Sequence, residues 1–272
     1  MVVENIKRVR DIVNPSRLPD YDFVINPYVG CTHKCMYCYA EFMKRFSKHE
    51  EDWGEFVDAK LSSRPINLVK LDGANILMSS VTDPYTPCEK KHENTRSILN
   101  ELKDANIKLT IVTKSDLILR DIEILKHFKN LEVAFSISTL NEKFKKEIEP
   151  NSPSIKRRLD ALKQLHDAGI KTIVYVSPIF PELTDFKEIV EATREFADSY
   201  WFENLNLRGT FRPKIMAYIN ERYSHLNDLY KDIYKFHISD YWEKKEQEIE
   251  DYCNENNINY KNYFYHERNR KR

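Results

Sequence analysis

Short apolar runs alternate with amphipathic segments along the first three quarters of the chain. The apolar runs are rich in Val, Ile and Phe, as buried strands are. They predict six strands, over residues 23–29, 75–80, 107–112, 131–138, 170–176 and 200–207. Apolar residues at helical spacing predict helices over residues 36–46, 92–105, 119–128, 154–168 and 184–196. This alternation indicates parallel βα units.

Six βα units are fewer than the eight that close a TIM barrel. The sequence therefore predicts an α/β fold, a partial (β/α)6 TIM-type barrel with a helical C-terminal extension. We expect residues 1–209 to form the barrel with an N-terminal leader, and residues 210–272 to form the extension packed on it. Because ligand sites of parallel βα folds lie at the carboxyl ends of the strands, we look for chemistry there.

The C-terminal extension is rich in tyrosine and ends in a basic tail. Tyr223, Tyr230, Tyr234 and Tyr241 repeat at intervals of 7, 4 and 7 residues, which places them on one face of a helix. Such a stripe is typical of a helix packed against the barrel. The alternative is a surface on which nucleobases stack.

Charge and composition narrow the possible binding partners and the cellular location of the protein. The formal net charge is zero, so no overall field attracts nucleic acid or an anionic membrane, although a local basic groove is compatible with this balance. The N-terminus lacks the apolar core of a signal peptide, and no apolar run has the ~20 residues of a membrane helix. Five cysteines in a chain of 272 residues do not indicate a disulfide framework. We therefore expect a cytoplasmic protein without a membrane partner.

The segment from Gly30 to Tyr39 carries the strongest chemical signal. Cys31, Cys35 and Cys38 stand in a CxxxCxxC spacing after the first predicted strand. Three thiolates can bind three irons of a [4Fe–4S] cluster and leave the fourth iron open to a small molecule. Structural zinc is the alternative, but zinc takes four ligands and only His33 is near. The spacing favours the cluster.

Several further segments, taken with the cysteine motif, resemble the radical S-adenosylmethionine (radical SAM) proteins related to spore photoproduct lyase. The resemblance covers about residues 22–206. It is carried by residues 26–39, 81–85 with Glu89, 113–115, 136–138, 149–150 with 158–159, and 168–170 leading to 177–179.

This resemblance implies a cofactor site. Cys31, Cys35 and Cys38 would hold the [4Fe–4S] cluster, and the open iron would bind S-adenosylmethionine (AdoMet). Cleavage of AdoMet needs one electron, so a flavodoxin or ferredoxin is the expected partner. The residues implied to contact AdoMet are Tyr37, Ser80, Thr82, Asp83, Lys114, Ser136, Arg158 and Ser177. For Glu149 and Arg158, an ordinary ion pair at a helix start is the alternative interpretation.

One position departs from the lyase pattern. The lyase has a cysteine at the end of its second strand, which returns a hydrogen atom to the substrate radical, and the matching residue here is Ser80. The O–H bond of serine is too strong for that role. Cys88 could replace it if its loop folds over the mouth, and Tyr39 is a second candidate for radical transfer.

Two classes of function fit the sequence. The first is a radical SAM enzyme that cleaves AdoMet to a 5′-deoxyadenosyl radical and abstracts hydrogen from a substrate, with a nucleic acid or nucleotide favoured. The second is a nucleic-acid-binding module that a metal or cluster stabilises. A basic stripe would favour the module, but segments such as residues 243–251 mix both signs.

Overall fold

Residues 2–264 are described by a computed structural model, and an open sheet is its central feature. The eleven strands in these residues are β1 (Val3–Val9), β2 (Val13–Pro15), β3 (Phe23–Ile25), β4 (Tyr28–Val29), β5 (Phe56–Ser62), β6 (Asn75–Met78), β7 (Lys108–Thr113), β8 (Asn130–Ser136), β9 (Lys171–Ile179), β10 (Ser199–Asn204) and β11 (Tyr260–Asn262). The main sheet has the order β11-β10-β9-β8-β7-β6-β3-β2.

The strands of the main sheet run parallel from β3 to β11, and only the edge strand β2 is antiparallel. The order β3-β6-β7-β8-β9-β10 is that of the six predicted βα strands. The two edges, β2 and β11, do not pair with each other. The prediction of an open, partial TIM-type barrel is therefore confirmed, with one added strand at each edge.

Helices alternate with the strands of the main sheet along the chain. The α-helices of the described residues are α1 (Glu89–His92), α2 (Asn94–Leu102), α3 (Ile122–Leu125), α4 (Glu142–Ile148), α5 (Ile155–Asp167), α6 (Phe186–Thr193), α7 (Arg212–Arg222), α8 (Asn227–Lys231) and α9 (Tyr241–Glu255). The 3-10 helices are Tyr39–Phe46, Leu68–Leu71, Asp116–Asp121 and Ser224–Leu226, and Asp232–Phe236 is a π-helix. No helix within residues 2–264 is long and apolar enough to cross a membrane.

Several strands and helices begin or end at residues other than those predicted, for local reasons. The predicted strand 23–29 is broken at Asn26 and Pro27, so β3 joins the main sheet and β4 joins a second sheet. Pro27 has no N–H, and its carbonyl accepts from the backbone N–H of Lys60 at 2.9 Å. The predicted helix 36–46 begins only at Tyr39, and it is a 3-10 helix. The predicted helix 92–105 is interrupted at Glu93, where φ is +47°.

A small second sheet was missed by the sequence analysis. Its order is β1-β5-β4, with β1 parallel to β5 and β4 antiparallel to it. Part of the expected N-terminal leader is therefore a paired strand. Because β4 leads directly into the cysteine segment, this sheet supports one side of that loop.

The C-terminal extension shares the main hydrophobic core with the barrel. Tyr230 and Tyr234 are buried, and their hydroxyls donate to the carbonyls of Pro181 at 3.2 Å and Leu205 at 2.9 Å. The tyrosine stripe therefore packs on the barrel and is not a free stacking surface. The extension also adds β11, so it is not entirely helical as expected. The basic tail from 265 onward lies outside the described residues, and the domain boundary at 209 stays a prediction.

Candidate active site

The three cysteines lie on the loop after β4, at the end of the main sheet where the parallel strands terminate. Gly30 opens this loop with a φ of +88°, and an added Cβ would lie 2.3 Å from the carbonyl oxygen of Phe56. Glycine is needed there, because it lacks a Cβ and adopts positive φ without strain. We call the strand ends facing this loop the mouth of the barrel.

Backbone contacts hold the cysteine loop against the mouth. The Met36 N–H donates to the carbonyl of Ile148 at 2.8 Å. Asn151 donates through its backbone to the carbonyl of His33 at 3.2 Å, and through its amide to that of Thr32 at 3.0 Å. Residues 148–151, at the end of α4 and directly after it, therefore help to set the loop conformation.

The thiols of the loop are free and partly buried. Burial raises the pKa of Cys35 to about 12, and it also raises the pKa of Cys31 and of Cys38. The Trp53 indole N–H donates to the Cys38 sulfur at 3.1 Å, which favours the thiolate of that residue. Coordination by iron removes the proton outright. The thiols are therefore protonated ligands until a metal binds.

These residues fit an iron–sulfur cluster better than a single ion. Within residues 2–264, no group of three His, Cys, Asp or Glu side chains could hold one metal ion. A [4Fe–4S] cluster takes one thiolate per iron, so its thiolates need not converge on one point. His33, inside the loop, has both ring nitrogens buried without a hydrogen-bond partner, and its Nδ1 lies 3.4 Å from an Asp83 carboxylate oxygen. Three thiols on one loop match three irons and leave a fourth iron open.

A buried ionic network connects this loop to the barrel. Glu149 is fully buried and accepts hydrogen bonds from the Tyr37 hydroxyl and the Arg158 guanidinium. Burial disfavours the carboxylate, but Arg158 and Lys114 outweigh it and lower the pKa of Glu149 to about 2. The Lys114 ammonium lies 5.8 Å from the centre of the Tyr37 ring. Tyr37 is thus fixed beside the cysteines by a charged carboxylate.

Arg158 and Ser136 lie in the interior beneath this network. Arg158 is 1% exposed, and its nitrogens donate to the carbonyls of Ser136 at 3.0 Å and Pro153 at 3.1 Å as well as to Glu149. The Glu149–Arg158 pair is therefore buried and is not an exposed ion pair at a helix start. The AdoMet contact of Arg158 stays a prediction. Among the described residues, Lys114 is a cation placed beside Tyr37 and the cysteine loop.

Asp83, Thr82 and Ser80 surround the end of β6. The Asp83 carboxylate accepts from the Thr113 hydroxyl at 2.7 Å and from the Lys114 N–H at 2.8 Å, and lies 3.4 Å from the His33 ring. The Thr82 hydroxyl donates to the carbonyl of Gly30 at 2.6 Å. The Ser80 carbonyl accepts from the Tyr39 hydroxyl. The three residues predicted to contact AdoMet therefore all lie against the cysteine loop, and their contacts help to hold its conformation.

Two site residues were missed by the sequence analysis. Glu203 on β10 accepts hydrogen bonds from the Tyr175 hydroxyl at 2.7 Å and from the Ser177 hydroxyl at 2.5 Å. Tyr175 and Ser177 occupy alternate positions of β9, which place them on one face of the strand. Glu203 also raises the pKa of Tyr39 by its negative charge, although burial of Tyr39 is the larger cause. The sequence signal that could have identified Glu203 is its charge near the end of a predicted buried strand.

The structure does not bring Cys88 to the mouth. Its side chain is 6% exposed and packs with Tyr28, Val57 and Ala59 against the small sheet. Burial raises the pKa of this thiol to about 12. The expectation that its loop would fold over the mouth is not met, because the helix start at Cys88 turns the side chain into a separate apolar cluster. Tyr39, by contrast, is 56% exposed beside Ser80.

The fold and the three-thiol loop define an iron–sulfur enzyme built on a partial barrel. Residues 25–196 match the radical SAM superfamily, which is more than half of the chain. The chain belongs to the radical SAM superfamily. Members of this superfamily are enzymes that use AdoMet and a [4Fe–4S] cluster and that need an electron donor. The predicted cofactors are therefore confirmed.

Known proteins share this sequence and fold. An uncharacterized protein of Methanocaldococcus jannaschii is 40% identical over 222 residues, covering 81% of this chain and 84% of that protein. A spore photoproduct lyase mutant with bound AdoMet and dinucleoside spore photoproduct superposes with a TM-score of 0.59 at 16% identity, covering 81% of this chain and 66% of the lyase. Streptococcus suis SuiB bound to S-adenosylmethionine gives a TM-score of 0.53 at 18% identity, with 88% and 49% covered.

Proposed function

We propose that this protein cleaves AdoMet reductively and uses the 5′-deoxyadenosyl radical to abstract hydrogen from a nucleic acid or a nucleotide-like substrate. The observation that carries the proposal is the loop of Cys31, Cys35 and Cys38 over the mouth of an open parallel barrel. When bound, the cluster supplies the electron that breaks the sulfonium bond. The protein supplies positioning, charge and exclusion of water.

The side chains around the mouth have complementary roles in this proposal. Lys114 neutralises the AdoMet carboxylate, and Tyr37 offers its ring to the adenine. Ser136, Ser177, Thr82 and Asp83 supply hydrogen bonds around the rest of AdoMet. Arg158 acts through Glu149 as a positioning residue, since its nitrogens are occupied by protein groups.

The substrate class is supported by a carboxylate near the carboxyl end of β10. Glu203 uses one carboxylate oxygen for Tyr175 and Ser177. An oriented carboxylate of this kind suits the N–H donors on the edge of a nucleobase. The open sheet leaves lateral access for a large substrate. The lyase that shares the fold was crystallised with a dinucleoside photoproduct.

The reaction proposed here does not end as the lyase pattern implies. Ser80 stands at the strand end in place of the lyase cysteine, and Cys88 is buried elsewhere. The hydroxyl of Tyr39 lies beside Ser80 and is the better candidate for returning a hydrogen atom. A flavodoxin or ferredoxin in the cytoplasm is the proposed electron donor, since an iron–sulfur cluster requires reducing conditions.

An anaerobic assay of AdoMet cleavage tests the proposal. Protein reconstituted with iron and sulfide and reduced with dithionite is expected to form 5′-deoxyadenosine from AdoMet. Cys35→Ala is expected to lose both the visible cluster absorption and this product. Cys253→Ala removes a thiol that is buried in the extension, so it is the matched control and retains both.

The other outcomes are equally informative. Retention of cluster and cleavage by Cys35→Ala contradicts the ligand assignment. If the wild-type protein holds a [4Fe–4S] cluster but forms no 5′-deoxyadenosine with a panel of nucleosides and oligonucleotides, the cluster-stabilised binding module replaces the enzyme. Transfer of deuterium between deuterated AdoMet and one of these compounds identifies the substrate.

A further inference from the structure

An exposed row of aromatic side chains follows the cysteine loop. The 3-10 helix Tyr39–Phe46 carries Tyr39, Phe42, Arg45 and Phe46, which we call the aromatic ridge. Its three aromatic residues are 56%, 43% and 59% exposed. Residues three apart eclipse one another on a 3-10 helix, so Tyr39, Phe42 and Arg45 form a line. Exposed aromatic rings in a group indicate an interaction site.

The opposite face of the same helix packs against a buried hydrophobic cluster. Ala40 is buried, and Met43 packs with it against Val29, Trp53 and Phe56. The core therefore explains why this helix has an apolar inner face. It does not explain why the outer face is aromatic as well.

The Arg45 side chain lies among the rings of the ridge. Its guanidinium carbon is 4.6 Å from the centre of the Phe46 ring and 5.5 Å from that of Phe42. Neither Arg45 nor Lys48 forms an ion pair in the part of the chain that the structure describes. Lys44, in contrast, is paired with Asp52 at 3.8 Å. Within residues 2–264, Arg45 thus lies beside the rings without a carboxylate partner, and Lys48, two residues after the helix, is exposed and also lacks one.

One end of the ridge reaches the mouth. The Tyr39 hydroxyl donates to the Ser80 carbonyl at the end of β6. A 3-10 helix rises about 2 Å per residue, so the ridge extends roughly 14 Å from the mouth. A polymeric substrate with one unit held in the mouth would lay its neighbouring units along these rings.

We propose that the aromatic ridge is a stacking platform for the unpaired nucleotides that flank the reacting nucleotide of a single-stranded nucleic acid. Phe42 and Phe46 stack on bases, and Arg45 and Lys48 contact phosphates. Stacking suits single strands because every base offers a flat face, and free cations suit the backbone. This inference rests on the proposed function and specifies the form of its substrate.

Binding of a short fluorescein-labelled oligothymidylate, measured by anisotropy with the reconstituted full chain, tests the platform. Phe42→Ala and Phe46→Ala are each expected to weaken binding about tenfold, as expected for loss of one stacked base. Arg45→Ala is expected to weaken binding and to reduce its salt dependence. Ile238→Ala, an exposed apolar residue of the extension, is the matched control and retains full affinity. Visible absorption and circular dichroism verify that each variant is folded and holds its cluster.

Three results would overturn the platform. The first is a wild-type protein that does not bind the oligonucleotide. The second is a failure of either comparison. The Phe42 and Phe46 variants would bind the oligonucleotide as tightly as the wild-type protein, or the wild-type protein would bind the single strand and its duplex with oligoadenylate equally. The third is slower cluster reduction by reduced flavodoxin in the two variants with unchanged anisotropy, which would make the ridge a donor-docking surface. Failure of the proposed function is seen separately, as absence of 5′-deoxyadenosine from the wild-type protein.

Discussion

At the scale of single residues, the Glu149–Arg158 pair connects the cysteine loop to the interior of the barrel. Both side chains are at most 1% exposed, and Glu149 also holds the Tyr37 hydroxyl and accepts from Ser152 at 3.0 Å. A buried pair of this kind orients its neighbours, although its net stabilisation is small compared with a well-packed apolar pair. Removing one member leaves the other charge buried without compensation.

Glu149→Gln is therefore expected to destabilise the protein by about 3 kcal/mol at pH 7, because Arg158 loses its counter-charge. Urea unfolding of the cluster-free protein measures this change. Glu123→Gln, at an exposed residue paired with Lys126 at 3.2 Å, is the matched control and should change stability by about 0.5 kcal/mol or less. A similar small change for both variants would contradict the burial argument.

The pH dependence of stability gives an independent readout of the same pair. The pKa of Glu149 falls from 4.5 to about 2 on folding, so the carboxylate stabilises the folded state fully above pH 4.5. This contribution is lost as the pH falls toward 2. The wild-type protein should lose more stability than Glu149→Gln between pH 4.5 and 2, and parallel curves would show that Glu149 is not responsible.

At the scale of elements, the turn between β4 and the cysteine loop depends on one glycine. Gly30 has a positive φ and lies against the Phe56 carbonyl. The small sheet and the cysteine loop approach each other closely at this point. The loop position over the mouth therefore depends on backbone packing as well as on the cluster.

Gly30→Ala is expected to destabilise the protein and to lower its iron content after reconstitution, because the Phe56 backbone must move. Gly73→Ala is the matched control, since Gly73 also has a positive φ, +71°, but nothing lies within 4 Å of the position that a Cβ would occupy. Backbone strain alone should cost about 1 kcal/mol there. Thermal unfolding and iron analysis compare the two, and equal losses would exclude the steric contact as the cause.

At the scale of the whole molecule, the extension and the barrel form one core. Tyr230, Tyr234, Trp242 and Phe264 belong to the same buried cluster as the strands of the main sheet. The extension also pairs β11 with β10, which covers an edge that would otherwise expose unpaired backbone groups. Residues 210–264 are thus integral to the fold.

A chain ending at residue 209 is expected to lack cooperative unfolding, because these core residues are absent and β10 becomes an open edge. Near-ultraviolet circular dichroism and urea titration, with the full chain as reference, test this expectation. A cooperative transition of the truncated chain would instead support independent domains divided at residue 209.

Several features followed from the sequence alone. The cysteine spacing, the six strands of the barrel and the polar residues at their ends depend on local periodicity and on ligand chemistry, which a single segment carries. For this reason the open α/β fold, the cluster loop and the location of Asp83, Thr82 and Lys114 at strand ends were predicted from the residues and the family resemblance.

Other features depended on contacts between segments far apart in the chain. The Tyr37 hydroxyl donates to Glu149, which lies 112 residues later in the chain. The Tyr175–Glu203 hydrogen bond requires the register of β9 and β10, and β11 pairs with a strand some sixty residues earlier. Cys88 does not lie at the predicted site, because its side chain packs in an apolar cluster against the small sheet. Local pattern does not encode such partners, since burial and register are decided only when the whole chain packs.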